Sequence, residues 1–268
     1  MLMTSIASRL SRRVANRMNF IYGKVYGSYG LCYETELVIE TINEAKETDS
    51  CILDVGANNG DYSSLLAKRL GKNSIIHSFE PSTDHQKSLQ SLEDQYKGRL
   101  IYHAYALSSG EKTMPLFKGE EGSGLASFYD RDVINNGLKS SEAEVVSATT
   151  LDAWHQKFSN NRISFLKVDV EGHELEVFKG GENLLSSGLV KALQFEFGGC
   201  NIDSRTYFKD FHSLLSAKHG FRLYRLAPGK KLVDLSKYKE SLECFTWQNI
   251  VGFSINSRIP RRYTIIHE

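Results

Sequence analysis

Short apolar runs alternate along this chain with stretches whose apolar positions fall three and four residues apart, the signature of strands and helices in turn. Residues 51–55 read as a buried parallel strand that enters a glycine-bounded turn, after which Tyr62, Leu65, Leu66 and Leu70 form one helical stripe. Residues 74–80 are a second strand, 84–96 a helix with Leu89 and Leu92 inward, and 100–106 a third strand closed by Leu107 to Gly110. Farther on, the pattern predicts a strand over 163–168, a helix from His173, a strand over 191–197 and a helix over 204–218 closed by Gly220. Strands follow at 221–226 and 247–253, separated by a polar excursion over 229–245.

Two stretches resist this rhythm. Residues 111–150 hold only short strand-like pieces, at 114–117 and 147–151, around a glycine-rich loop at 119–127, so this segment is the candidate lid for substrate selection. Residues 1–31 carry Arg9, Arg12, Arg13, Arg17 and Lys24 without an acid, and Ile6, Leu10, Val14 and Met18 recur every four positions. That is a basic amphipathic helix, expected to cover a face of the domain, with peripheral membrane contact through residues 1–31 as the alternative. The expected division is a helical extension over 1–48, one α/β domain over 49–256, and a basic C-terminal tail over 257–268 bearing Arg258, Arg261 and Arg262.

Charge and cysteine content narrow the field. The chain has 33 basic and 32 acidic side chains, a formal charge of +1, so no broad positive field favours nucleic acid. Cys32, Cys51, Cys200 and Cys244 are far apart and lack zinc-type pairing, which fits a reducing, cytoplasmic compartment. No run approaches the roughly 18 apolar residues of a membrane helix.

The turn after the first strand reads Asp54-Val55-Gly56-Ala57-Asn58-Asn59-Gly60. Its two glycines let the chain take positive φ and let a ligand approach bare peptide groups at a helix start. A dinucleotide site needs glycine where Asn58 stands, because a pyrophosphate presses on the main chain there. Asp54 would repel phosphate and suits a cationic amino group. Glu80, about 20 residues on at the end of the second strand, is placed to bind a ribose diol. A nucleoside carrying an amino acid and no phosphate, S-adenosylmethionine, satisfies all three features. Ala106 and Leu107, at the third strand's end, are expected beside its base.

The second informative stretch is Val168-Asp169-Val170-Glu171-Gly172-His173-Glu174, where acids and a histidine crowd the carboxyl end of a strand, the ligand-binding edge of an open α/β sheet. Methyl transfer needs alignment and removal of the acceptor's proton. Two arrangements would serve. Asp169 with Glu196, and with Glu171 beside them, could hold Mg²⁺ that acidifies a substrate hydroxyl. Alternatively His173 acts directly as general base.

Taken together, residues 54–60, Phe79-Glu80-Pro81, Thr150-Leu151-Asp152 and 166–174 resemble the FkbM family of S-adenosylmethionine-dependent methyltransferases. The resemblance covers about residues 50 to 200. It implies a Rossmann-like class I methyltransferase fold, a seven-stranded, mostly parallel sheet with its last strand antiparallel and helices on both faces. It also implies O-methylation of a sugar, glycan or small natural product. Carried over by position, Asp54, Gly56, Asn58, Gly60 and Glu80 are expected cofactor contacts, with Ala57 and Asn59 in the same turn, and Asp169, Glu171 and His173 match the acidic strand-end motif. A methyltransferase acting on protein or nucleic acid, or a cofactor-binding scaffold without turnover, are the competing readings.

Overall fold

The structure, a computed structural model, describes residue 18 and residues 30–118, 126–129, 142–158 and 162–267. The basic helix expected over 1–31 and most of the 119–127 loop lie outside the described residues.

Alternating side chains on the strands build two cores, one on each face of a central sheet. Leu53 and Val55 of β1 (Cys51–Val55), Leu166 and Val168 of β7 (Phe165–Val168), and Phe195 and Phe197 of β8 (Ala192–Phe197) fill one core. Phe178 of α5 (Glu174–Lys179) and Phe211 at the end of α8 (Phe208–Phe211) cover them. Ile52, Phe165 and Ala192, one residue out of phase, fill the other core with Leu37, Val38 and Ile42 of α1 (Leu31–Ala45) and Leu66 of α2 (Asp61–Arg69). The helices therefore lie on both faces, as a doubly wound parallel sheet requires.

Five parallel strands run in the order β3 (Leu100–His103), β2 (Ile75–Phe79), β1, β7, β8. β11 (Gln248–Phe253) then pairs antiparallel with both β8 and β9 (Arg222–Ala227). The chain winds outward from β1 in one direction through β2 and β3, and returns on the other side at β7. The switch point, where loops leave in opposite directions and open a crevice, lies between β1 and β7.

The sheet has nine strands rather than the expected seven. The 229–245 excursion contains β10 (Lys231–Asp234), a hairpin partner of β9, and the expected basic tail contributes β12 (Thr264–Ile266), parallel to β10. Tyr263 is buried in the second core, and Arg261 and Arg262 pair with Glu44 and Glu40 of α1, so the tail is fastened down. The expected third strand is divided. β3 stops at His103, and β4 (Ala106–Leu107) joins a separate three-stranded sheet with β5 (Lys112–Lys118) and β6 (Glu142–Thr149). The helix expected over 204–218 begins only at Phe208 and passes into a π-helix over His212–Lys218. Gly180 and Gly181 separate α5 from α6 (Glu182–Ser186), where one helix was expected; a Cβ on Gly180 would fall 2.0 Å from the Ser108 carbonyl oxygen.

Candidate functional site

A cleft of about 280 Å³ opens at the switch point. Gly56 to Asn59 form one wall, Glu80 and Pro81 one end, and Asp169, Val170 and Glu171 the opposite wall, with Leu116, Ala126 and Phe128 overhanging from the small-sheet region.

The turn after β1 is set by close packing. Gly56 has φ +81, and a Cβ there would lie 1.8 Å from the Asp169 carbonyl oxygen, so no other residue lets the two strand ends approach. Gly60 has φ +82, and its missing Cβ leaves room for Leu89 and Leu92. Both glycines are required by packing, and Gly56 also lines the cleft. Asn58, at φ +50, points its amide at Glu80 Oε2 (3.0 Å), while Ser82 N donates to Glu80 Oε1 (2.9 Å). Glu80 is thus fixed on the cleft by two backbone amides. Burial raises its pKa, and the two amides oppose that rise. Each oxygen still has acceptor capacity for a hydroxyl. Asn59 Oδ1 lies 2.8 Å from His85 Nδ1, which ties the turn to the helix after β2.

Asp54 is not on the cleft. It is wholly buried, with Ser63 Oγ donating to Oδ2 (2.7 Å) and Lys167 Nζ to Oδ1 (3.3 Å). The register explains this: Ser78, Asp54, Lys167 and Gln194 stand side by side across β2, β1, β7 and β8, a polar row under α1 and α2. An acid in that row needs a partner within it. The expected contact between Asp54 and a cationic amino group is corrected accordingly.

Lys167, which sequence reasoning passed over, links that row to the cleft. Its ammonium is 3.3 Å from both Asp54 and Asp169, and it lies over the Tyr62 ring at 5.0 Å. Burial works against its charge, but Asp169 and Asp54 outweigh burial and hold its pKa above the ordinary lysine value. A lysine inside an otherwise apolar strand was the available signal. Asp169 keeps about a third of its side chain exposed (35%) and faces the cleft.

Past Asp169 the chain turns sharply. Glu171 takes φ +52 and lines the cleft, its carbonyl accepting from Ser127 Oγ (2.8 Å). Gly172 takes φ +103, and a Cβ there would meet the Cys200 carbonyl oxygen at 2.8 Å. Glu174, the last acid of that stretch, is fully buried, and its Oε1 accepts from Val170 N (3.0 Å) and Gly172 N (3.1 Å). Burial pushes its pKa up to about 7 despite those amides.

His173 is also buried and does not line the cleft. Its Nε2 lies 2.9 Å from Ser108 Oγ and its Nδ1 3.1 Å from Tyr129 OH, and burial lowers its pKa to about 4. Both ring nitrogens are occupied, so the ring braces the small sheet and residues 128–129 against the turn. The direct-base expectation for His173 does not match this placement. Ala106 and Leu107 are likewise buried in the small sheet and off the cleft wall, because the chain leaves the main sheet at His103.

Glu196, on the neighbouring strand, accepts from the Trp247 indole, and its pKa is raised well above the carboxylate range by burial and by Asp169 and Glu171. Among the described residues no group of three or more His, Cys, Asp or Glu side chains is arranged to hold a metal. None of the described helices is long and apolar enough to cross a membrane.

Chemically, the lining presents Asp61, Glu80, Asp169 and Glu171 and, among the described residues, one lysine whose ammonium two carboxylates already share. Such a wall repels phosphates and suits a cationic nucleoside.

The model of the methyltransferase FkbM domain matches residues 54–223. The hexuronic acid methyltransferase AglP of Haloferax volcanii is 30% identical over 153 residues, which cover 56% of this chain and 57% of AglP. The chain thus matches little more than half the length of that curated relative. Among solved structures, a methyltransferase FkbM from Methylobacillus flagellatus KT is similar at a TM-score of 0.46 and 13% identity, covering 76% of this chain and 43% of that one. The magnesium protoporphyrin IX methyltransferase from Synechocystis PCC 6803, solved with bound SAM, is similar at 0.42 and 11%, covering 94% and 96%.

Proposed function

Because the chain belongs to the FkbM methyltransferase family, we propose that it transfers a methyl group from S-adenosylmethionine to a hydroxyl of a saccharide or small natural product. The observation that carries the reading is the acidic cleft at the β1–β7 switch point, closed at one end by a glutamate that two backbone amides hold in place. When bound, S-adenosylmethionine supplies an electrophilic methyl on a positively charged sulfur. Glu80 would accept from the cofactor's ribose hydroxyls, and the Asn58 amide keeps the turn against Glu80. The carboxylates of Asp169 and Glu171 favour the positive charge.

For the acceptor, Asp169 is the residue proposed to take the proton. During methyl transfer that proton would pass to the Asp169 carboxylate, which Lys167 holds at 3.3 Å. AglP's action on a hexuronic acid supports a saccharide acceptor.

Calorimetry with S-adenosylmethionine and its demethylated product tests the cofactor half. The wild-type chain should bind both and Glu80→Ala should weaken both at least tenfold; no heat from the wild type removes the reading. Label transfer from S-adenosylmethionine to methyl glycosides, neutral hexosides and hexuronides together, tests the acceptor half. Asp169→Asn should bind the cofactor and transfer no label.

A further inference from the structure

Glu174 has no part in the proton transfer just described, yet it is fully buried beside the cleft. Its side chain is fully buried, one oxygen accepts from two backbone amides, and the other, Oε2, is buried with no hydrogen-bond partner among the described residues. Carboxylates seldom sit so unless the arrangement they impose is needed.

The two amides belong to Val170 and Gly172, the residues on either side of Glu171. Glu171 is held at φ +52, a conformation that side-chain-bearing residues avoid, and Gly172 is pressed against the Cys200 carbonyl. A fixed acceptor for both flanking amides adds to the His173 N to Val170 O bond across the turn (3.4 Å) in holding the left-handed residue between them. With it, the Glu171 side chain is delivered to the cleft wall, and its carbonyl is presented to Ser127.

We propose that Glu174 is a positioning residue that acts through Glu171: by clamping the Val170 and Gly172 amides it holds the Glu171 carboxylate on the cleft wall, where it selects the positively charged sulfonium of the methyl donor over the neutral thioether of the product. The inference rests on the functional reading above and extends it to release of the spent cofactor. A carboxylate near a cation gains Coulomb energy that it does not gain near a neutral sulfur. The quantity to read is therefore the ratio of the two affinities.

The test is a double-mutant cycle on the full chain, with calorimetry of S-adenosylmethionine and S-adenosylhomocysteine at pH 8. Glu171→Ala should lower the ratio of donor to product affinity about tenfold, and Glu174→Ala should lower it to a similar extent. The double variant should be no worse than either, because a residue that works through another adds nothing once that other is gone. Glu174→Gln, whose amide oxygen still accepts from both amides, should keep the ratio within about threefold of wild type. A residue needed only for stability would leave the ratio alone in every folded variant. If Glu174→Ala does not fold, Glu174→Asp, which keeps the charge and shortens the reach, carries the same comparison in the presence and absence of Glu171. An unchanged ratio in Glu174→Ala or Glu174→Asp, or effects of the two sites that multiply, overturns the proposal while the functional reading stands. A wild-type chain that binds neither compound overturns both.

Discussion

The turn after β1 and the turn after β7 lie side by side on strands paired in parallel, with Val55 opposite Val168, and each is organised by a glutamate that accepts from two backbone amides. In the first turn the acid comes from a neighbouring strand end. Glu80 uses a different oxygen for each amide and still faces the cleft. In the second the acid comes from the helix that follows. Glu174 uses one oxygen for both amides and is sealed from solvent. The same chemistry therefore serves two ends: an acid on the cleft wall can meet a ligand, and an acid buried beneath the turn can only decide what the turn presents. Motif position alone does not distinguish them.

The largest test of this pairing is steric. Gly56→Ala puts a methyl group 1.8 Å from a backbone carbonyl oxygen at φ +81, and neither strand end can yield without breaking the β1–β7 pairing. A loss of at least about 4 kcal/mol in urea unfolding, or no folded protein, is expected. Gly172→Ala meets the Cys200 carbonyl oxygen at 2.8 Å, a smaller overlap than the 1.8 Å at Gly56, so about 2 to 3 kcal/mol is expected. Equal losses would show that the second turn is as tightly locked as the first.

Next in size is a pH effect that separates the sealed acid from the one on the cleft wall. Glu174 has its pKa raised in the folded chain from 4.5 to about 7, chiefly by burial. A carboxyl raised in this way contributes stability that is fully present below its unfolded pKa and is lost as pH climbs through the folded one. Between pH 5 and pH 8 the wild type should therefore lose up to about 3 kcal/mol that Glu174→Gln does not lose. Unfolding free energies of the two proteins at both pH values give the difference directly. Glu80, also raised by burial but opposed by amides on both oxygens, should show the same sign in Glu80→Gln and a shallower slope. A flat difference for Glu174 would mean that its second oxygen has found a partner.

How much of this was legible in the sequence follows from what each residue depends on. Glu80, Asn58, Asp169 and Glu171 could be read because a strand end followed by a turn fixes which way they face, and local pattern reveals strand ends. Asp54 could not, because its neighbour Lys167 lies 113 residues away and becomes adjacent only through the register of β1 on β7. Ala106 and Leu107 were placed beside the cofactor on the premise of one strand over 100–106. The break at residues 104 and 105 that sends them into a second sheet leaves no hydrophobic signature. The outer strands β10 and β12 escaped for a related reason: they are only four and three residues long, and only their partners make them strands. Glu174 was visible, but its depth was not, since a helix-start acid on the surface reads identically.

The smallest expected effect decides the standing of His173, whose buried ring has a partner at each nitrogen. If it braces the turn, Tyr129→Phe removes the hydroxyl 3.1 Å from Nδ1 and leaves the Nε2 contact with Ser108 in place. Loss of one partly buried hydrogen bond costs about 1 kcal/mol. Because the ring stays in position and neither nitrogen lines the cleft, the affinity for S-adenosylmethionine should hold within about twofold. The rate of label transfer should hold equally, at pH 7 and above, since a histidine whose pKa lies at about 4 is neutral throughout that range with or without the tyrosine. If His173 were the base instead, freeing its Nδ1 would alter the rate and its pH profile far more than the stability. A small change in melting with an unchanged pH–rate profile thus assigns the ring to the scaffold; the opposite pattern would return it to the chemistry and leave the two turns divided in function along a different line.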